Sequence, residues 1–444
     1  MIKRSLSRAL TFISDRSALM LSESDSAVIL KLREVFRNSG FVIGFQAINT
    51  IGGFLLVLLI ARYLGSKALG QYAIGASLTG LVIGILNFGI QGILIREISK
   101  SPDNATDYLG NGLGIRFFLT FPLDIGISYF IAILLGFSGD LLIVILLMAL
   151  FTCVSSVTGL FYGAFQALGK FEFQFTIAST YKILSLIGTF ILLRQGQNLI
   201  SVISLFILLQ FASSIFSALL LNKKFFSVSV KIDPKFWLGF IRESFPLALG
   251  GTAEFINLKS DALILGTFKG DVVTGIYNGA YNIYLGAVFL PYSVAVAFLP
   301  PVSNLFSVSK DKAFRLFRSV SLLILTISLI LTLGLFIFSK NIVLLIYGKK
   351  FLSSSYPLMI LALGLPFISL NRLCNRFLTA AGLQKWMFYI ISTGAVFNIA
   401  TNILLIPKYS YIGASITTVI TEGLVLGLQM WKIHRYNNRN VRLC

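Results

Sequence analysis

The sequence predicts an all-α polytopic membrane protein of about twelve transmembrane helices, arranged as two pseudo-symmetric six-helix lobes. The first ground is composition. Of 444 residues 56% are hydrophobic and 12% charged, against the roughly 25% charged residues of a soluble domain. The second is segmentation, because the apolar residues come in runs of about 20, the length that carries a helix across a ~30 Å hydrocarbon core. The third is a weak internal repeat, offset by six runs.

In chain order, residues 1–39 are polar and Ser-rich and read as a cytosolic tail. The N lobe covers 40–221, with spans near 40–61, 73–95, 113–136, 140–163, 174–193 and 198–221. A cytoplasmic linker, 222–243, leads to the C lobe, 244–432, with spans near 244–267, 274–300, 317–338, 354–376, 386–406 and 411–432. Residues 433–444 form a C-terminal tail. The longest outside loop is expected from Ser339 to Ser353.

Charge fixes the orientation. With both ends cytoplasmic, 28 of the 37 Lys and Arg lie on the inside, 8 in the outside loops and Lys259 within span 7. That is the asymmetry of the positive-inside rule, with basic residues facing anionic lipid. The net charge of +20 therefore needs no nucleic-acid partner.

The repeat rests on two matches. Leu64-Gly65 with Gly70 and Tyr72 after span 1 corresponds to Lys269-Gly270 with Gly275 and Tyr277 after span 7, and Ala167-Leu168-Gly169-Lys170 corresponds to Ala381-Gly382 with Lys385. An even number of crossings per lobe gives parallel repeats about an axis along the membrane normal, an arrangement that supports alternating access between lobes.

Enzyme chemistry finds little to work with. The single histidine, His434, lies in the C-terminal tail, no Gly-x-x-x-x-Gly-Lys-Ser/Thr phosphate loop occurs, and Cys153, Cys374 and Cys444 have no disulfide or zinc spacing. No catalytic residue, metal or cofactor is expected, and no large outside domain is present to house a glycosyltransferase or polymerase.

Span 7 is the informative segment. Glu254, Lys259 and Asp261 sit in one membrane helix, each at a cost of about 2.5–3.5 kcal/mol at the helix centre, so a polar cavity or mutual pairing must accommodate them. Glu254, Asn257 and Asp261 share a face by i, i+3, i+7 spacing, and Lys259 projects elsewhere. One reading makes Lys259 a contact for a lipid diphosphate and Glu254 or Asp261 a coupling carboxylate; the other makes them structural pairs with neighbouring helices. Pro246 and Gly250-Gly251 predict a bend in the inner half of the span. In span 8, Tyr281, Asn282 and Tyr284 combine aromatic faces with an amide, as a sugar-binding wall would, while Tyr277 reads as an interfacial anchor. Gln46, Asn49 and Thr50 of span 1 and Asn87 and Gln91 of span 2 either line the facing wall or bond neighbouring helices. Arg96, Arg116, Arg372 and Arg376 are candidates for a phosphate-collecting cytoplasmic vestibule, and serve equally as topology signals.

Several short motifs bring a resemblance with them: Arg62-Tyr63-Leu64-Gly65 with Gly70 and Tyr72; Asn87-Phe88-Gly89 leading to Arg96; Asp261; Gly275-Ile276-Tyr277-Asn278; and Pro300-Pro301-Val302-Ser303. In their order along twelve spans the chain resembles the polysaccharide/oligosaccharide flippase family of the multidrug/oligosaccharidyl-lipid/polysaccharide exporter superfamily. The resemblance implies a central cavity lined chiefly by spans 1, 2, 7 and 8. It also implies a polyprenyl-diphosphate-linked oligosaccharide as substrate, moved to the outer leaflet of the cell membrane for surface polysaccharide assembly. The expected partners are membrane lipid, a coupling proton or sodium ion at the span-7 carboxylates, and other polysaccharide-assembly proteins. The alternative within the superfamily is a cation-coupled multidrug exporter.

Overall fold

The computed structural model describes residues 23–441. Within it, helices account for nearly the whole chain: α1 Glu23–Leu86, α2 Ile90–Lys100, α3 Ala105–Ile115, α4 Phe121–Leu134, α5 Gly139–Ala167, α6 Phe171–Arg194, α7 Leu199–Lys224, α8 Pro234–Val308, α9 Lys310–Tyr347, α10 Ser355–Leu363, α11 Leu365–Ala380 and α12 Gln384–Val441. The segments of α1, α8 and α12 that are apolar enough to cross a membrane run to 43, 59 and 54 residues. At 1.5 Å per residue each exceeds twice the length one crossing needs. Each is interrupted once, at Gly65, Gly270 and Ser410 respectively. Three double-length helices, five further long helices and the bent pair α10–α11 make twelve crossings among the described residues.

The expected repeat is visible in the backbone. Gly65 (φ 82°, ψ −170°) and Gly270 (φ 79°, ψ 179°) adopt nearly the same conformation, in a region open essentially to glycine alone. Each joins two spans without a loop.

Several expected elements change. The 1–39 tail is helical from Glu23 onward and continuous with span 1, while residues 1–22 lie outside the described residues, as do 442–444 of the C-terminal tail. Helical backbone runs through Gly250-Gly251, where a bend was expected, and the non-helical dihedrals within α8 are at Gly270. The outside loop expected at Ser339–Ser353 is mostly helix, since α9 continues to Tyr347 and turns at Gly348. Span 10 divides at Gly364 into α10 and α11, bent by 48°.

Span 2 is broken as well. Between α1 and α2, Asn87-Phe88-Gly89 leaves the helix, with both Phe88 (φ 50°) and Gly89 (φ 71°) left-handed. Span 3 answers this break: α3 and α4 are joined by a π-helical turn, Arg116–Thr120. There Arg116 donates to the Leu86 and Asn87 carbonyls, both at 3.3 Å. A guanidinium thus meets carbonyls freed at a helix C-terminus, where a cation is favoured.

The linker is docked on the N lobe. Lys231 N–H donates to the Gly110 carbonyl at 3.0 Å and Trp237 Nε1 to Asn111 at 3.0 Å. A Cβ on Gly114 would lie 2.1 Å from the Lys231 carbonyl oxygen, so glycine is what lets this backbone lie against α3.

The lobes meet closely where spans 1 and 7 turn back. A Cβ on Gly70 would lie 1.7 Å from the Asp271 carbonyl oxygen, and one on Gly275 would lie 1.8 Å from that of Ser66. The two glycines thus make reciprocal contacts. Arg62 extends the contact by donating to the Leu345 and Ile346 carbonyls at 2.5 Å each, at the C-terminus of α9, and Gln71 donates to Asp271 at 3.2 Å.

Candidate functional site

Away from that contact the lobes separate around cavities. One, of about 500 Å³, lies between spans 2, 4 and 7, with Tyr72, Thr79, Phe151, Thr252 and Phe255 in its walls. A second, of about 260 Å³, is bounded by Gln46 and Thr50 of span 1, Glu254 of span 7, Val288 and Tyr292 of span 8, and Arg372 of span 10. The polar face of span 1 read from the sequence therefore does border a cavity, opposite the charged position of span 7.

Glu254 and Arg372 form an ion pair across that second cavity. The Glu254 side chain is 47% exposed and that of Arg372 21%. The pair continues inward: Asn371 donates to the half-buried carboxylate of Glu422 at 2.5 Å, and Glu254, Asn257, Arg372 and Glu422 border one small cavity of about 40 Å³. One guanidinium thus lies among two carboxylates from different helices. Asn257 donates to the Ile391 carbonyl at 3.0 Å, while its own Oδ1 is buried without a partner.

Asp261, one further position along the same face, belongs to a separate cluster within the C lobe. It is 1% exposed and accepts from Tyr277 at 2.6 Å, Asn402 at 2.5 Å and Thr418 at 2.8 Å. Ser260 donates to Asn398 at 2.7 Å, and Asn402 to Asn398 at 2.9 Å. Three donors from three other spans satisfy a carboxylate that would be costly alone in the bilayer. Carboxylate, amide and hydroxyl oxygens gathered this way are also a donor set suited to a small hard cation.

Tyr277 is therefore no interfacial anchor. It is 1% exposed and stacks on Tyr281 with centroids 5.6 Å apart. Tyr281 (3% exposed) and Tyr284 (0%) continue the ladder inside the C-lobe core, so the i, i+4, i+7 aromatic face packs into the lobe and forms no wall of the described cavities. Asn282 is occupied within its own helix, donating to the Asn278 carbonyl at 2.7 Å. Lys259 lies half-buried with Nζ 5.8 Å from the Tyr281 ring centroid, a cation–π contact, and forms no ion pair among the described residues.

The four arginines are not gathered into one vestibule. Arg372 and Arg376 stand one turn apart and both face span 8, Arg376 donating to the Tyr292 hydroxyl at 3.2 Å. Arg96 is held instead by Glu97 at 2.6 Å and by Glu243, in a surface network where Lys100 and Arg96 hold the Glu97 carboxyl below its ordinary value. Arg116 is 2% exposed and occupied at the break in span 2. Basic residues near the inner ends looked alike in sequence because topology and substrate contact ask for the same residue type.

Two acids inside the spans escaped the sequence reading. Asp124 in span 3 is 0% exposed and accepts from Thr152 at 2.9 Å and Cys153 at 3.3 Å; Glu422 in span 12 is the other. The signal was available, since an acid inside an apolar run carries the same insertion cost that drew attention to span 7.

Comparison with known proteins follows this geometry. The family model described as polysaccharide biosynthesis protein matches residues 35–306, and the MatE model matches residues 246–404. The capsular polysaccharide biosynthesis protein CapF of Staphylococcus aureus is 25% identical over 88% of this chain and 97% of its own length. The probable flippase AglR of Haloferax volcanii is 24% identical over 90% of this chain and 83% of its own. Among solved structures, the lipid II flippase MurJ in an inward closed conformation superposes with a TM-score of 0.74 at 21% identity, covering 89% of this chain and 87% of that one. Sharing that fold, and matched by the family model over more than half its length, the chain belongs to the polysaccharide biosynthesis protein family.

Proposed function

We propose that this protein is a flippase that carries a polyprenyl-diphosphate-linked oligosaccharide from the cytoplasmic to the outer leaflet by alternating access. The observation that carries the reading is the contrast between the two ends of the lobe interface. At one end Gly70 and Gly275 bring backbone against backbone, and at the other the lobes stand around cavities holding the Glu254–Arg372 pair. With both termini cytoplasmic in the cell membrane, the glycine contact is the outer gate and the cavities load from inside. The names of the CapF and AglR relatives support the same substrate class, and a transporter accounts for the chain without catalysis.

Arg372 is the diphosphate contact in this reading, with Glu254 as its resident counter-ion. Arg–phosphate and Arg–carboxylate pairs share a bidentate geometry, so an arriving diphosphate takes the place of the carboxylate. Lys259, five residues beyond Glu254 along span 7, is the second cation of the proposal. Asp261, with Asn398, Asn402 and Thr418, is the site for a coupling proton or sodium ion.

Deleting the gene is expected to trap lipid-linked repeat units on the cytoplasmic face. Normal surface glycan with no trapped intermediate refutes the proposal. The MatE match over spans 7–11 favours a second reading, a cation-coupled multidrug exporter. Such a cavity needs an available carboxylate, whereas Glu254 is neutralised by Arg372. Drug efflux abolished by Glu254→Gln would favour the exporter.

A further inference from the structure

We infer that a cavity inside the N lobe is a subsite for an uncharged sugar of the glycan; the inference rests on the flippase reading. The cavity has a volume of about 510 Å³ and is walled by the break in span 2, by span 4 and by Arg116 of span 3. That volume lies within the range of small-ligand sites. It shares Ile83, Asn87, Gly89, Phe151 and Thr152 with the cavity of similar size between the lobes, so a group held there stays joined to the translocation route.

The lining selects the ligand class. Asn87, Gln91, Thr152, Ser155 and Ser156 offer amides and hydroxyls, and Asn87 Oδ1 is buried with no partner. A buried acceptor without a donor is costly until something supplies one, and a sugar hydroxyl does. Phe151 adds an apolar ring for the C–H face of a pyranose.

A diphosphate is disfavoured. The one cation in the wall, Arg116, has both terminal nitrogens on the Leu86 and Asn87 carbonyls and the Thr120 hydroxyl, which leaves only its buried Nε without a partner, one further donor for a sugar hydroxyl. The break in span 2 removes side-chain bulk: Gly89 and Gly92 stand on one wall and Gly159 on the other. Division of labour follows, with the glycan against the N lobe and the diphosphate against Arg372 of the C lobe.

The test uses the full-length protein in nanodiscs and three probes: polyprenyl diphosphate, the same lipid carrying one glucose, and the same lipid carrying one glucuronate. Wild type is expected to bind the glucose form more tightly than the bare lipid. The double variant Gln91→Ala/Ser155→Ala should lose about tenfold in affinity for the glucose form, as two lost hydrogen bonds would give, with bare-lipid affinity unchanged. That unchanged affinity also certifies folding. Glucose that adds nothing to wild-type binding, or a variant that weakens both lipids equally, overturns the inference while leaving the flippase reading intact. Tightest binding of the glucuronate form overturns the assignment to an uncharged sugar. A wild type that binds none of the three overturns both.

Discussion

Replacing Gly275 by alanine should bias the protein away from its outer-closed state. The added Cβ would lie 1.8 Å from the Ser66 carbonyl oxygen and 2.7 Å from its carbon, so the backbones must part by about 1.5 Å to regain van der Waals contact. Neither atom belongs to a flexible side chain. Overpacking of this kind costs about 1–3 kcal/mol, and it is incurred only where the lobes touch. Glycine to alanine inside a helix otherwise stabilises by about 0.5–1 kcal/mol, so the fold as a whole is spared. A differential of 1–3 kcal/mol moves a two-state equilibrium by roughly 5- to 150-fold. Ala76, which borders the interlobe cavity, reports the shift: as Ala76→Cys in a cysteine-free background, its labelling from outside by a membrane-impermeant maleimide should rise at least about fivefold with Gly275→Ala. Gly70→Ala, 1.7 Å from the Asp271 oxygen, should do the same. Unchanged labelling in both variants would refute the gate.

Other outcomes follow from the same geometry. Arg62→Ala removes two donors from the end of α9 and should raise the same labelling, by less than the glycine variants do. Arg372→Gln leaves Glu254 without its partner and should cut translocation at least about tenfold, with partial recovery in Arg372→Lys, because lysine keeps the charge and loses the bidentate fork; equal activity in all three forms would remove Arg372 from the substrate path. Asp261→Asn should preserve binding of the lipid-linked substrate while abolishing its response to an imposed proton or sodium gradient, measured in proteoliposomes. Gly65→Ala must hold φ 82° with a side chain and should lower stability by about 1–3 kcal/mol, read as a lower Tm in detergent; no change would mean that the turn relaxes.

The spans were legible because a membrane imposes one length on every crossing, and the lobe repeat was legible because its turns need glycine at fixed places. Gly65 and Gly270 carry both facts at once. The break at Asn87-Phe88-Gly89 was less legible: its motif was visible, but Phe88 at φ 50° is held by tertiary context, including Arg116 from another span. Glu254, Asn257 and Asp261 do share a face, yet spacing within one helix cannot say what stands opposite. The partners Arg372, Ile391, Asn402 and Thr418 come from spans 10, 11 and 12, and sequence separation conceals them. Tyr277 misled because an aromatic near a span end and one reaching a buried acid look the same in one dimension.

The central claim is tested most directly by reconstituting the purified protein in liposomes with a polyprenyl-diphosphate-linked oligosaccharide in both leaflets and following its access to an outside glycosidase. The account predicts that with wild type the glycosidase goes on to digest the inner-leaflet pool, and that with Arg372→Gln digestion beyond the outer-leaflet fraction is at least about tenfold slower. Digestion that stops at that fraction for active, correctly folded wild type would contradict it.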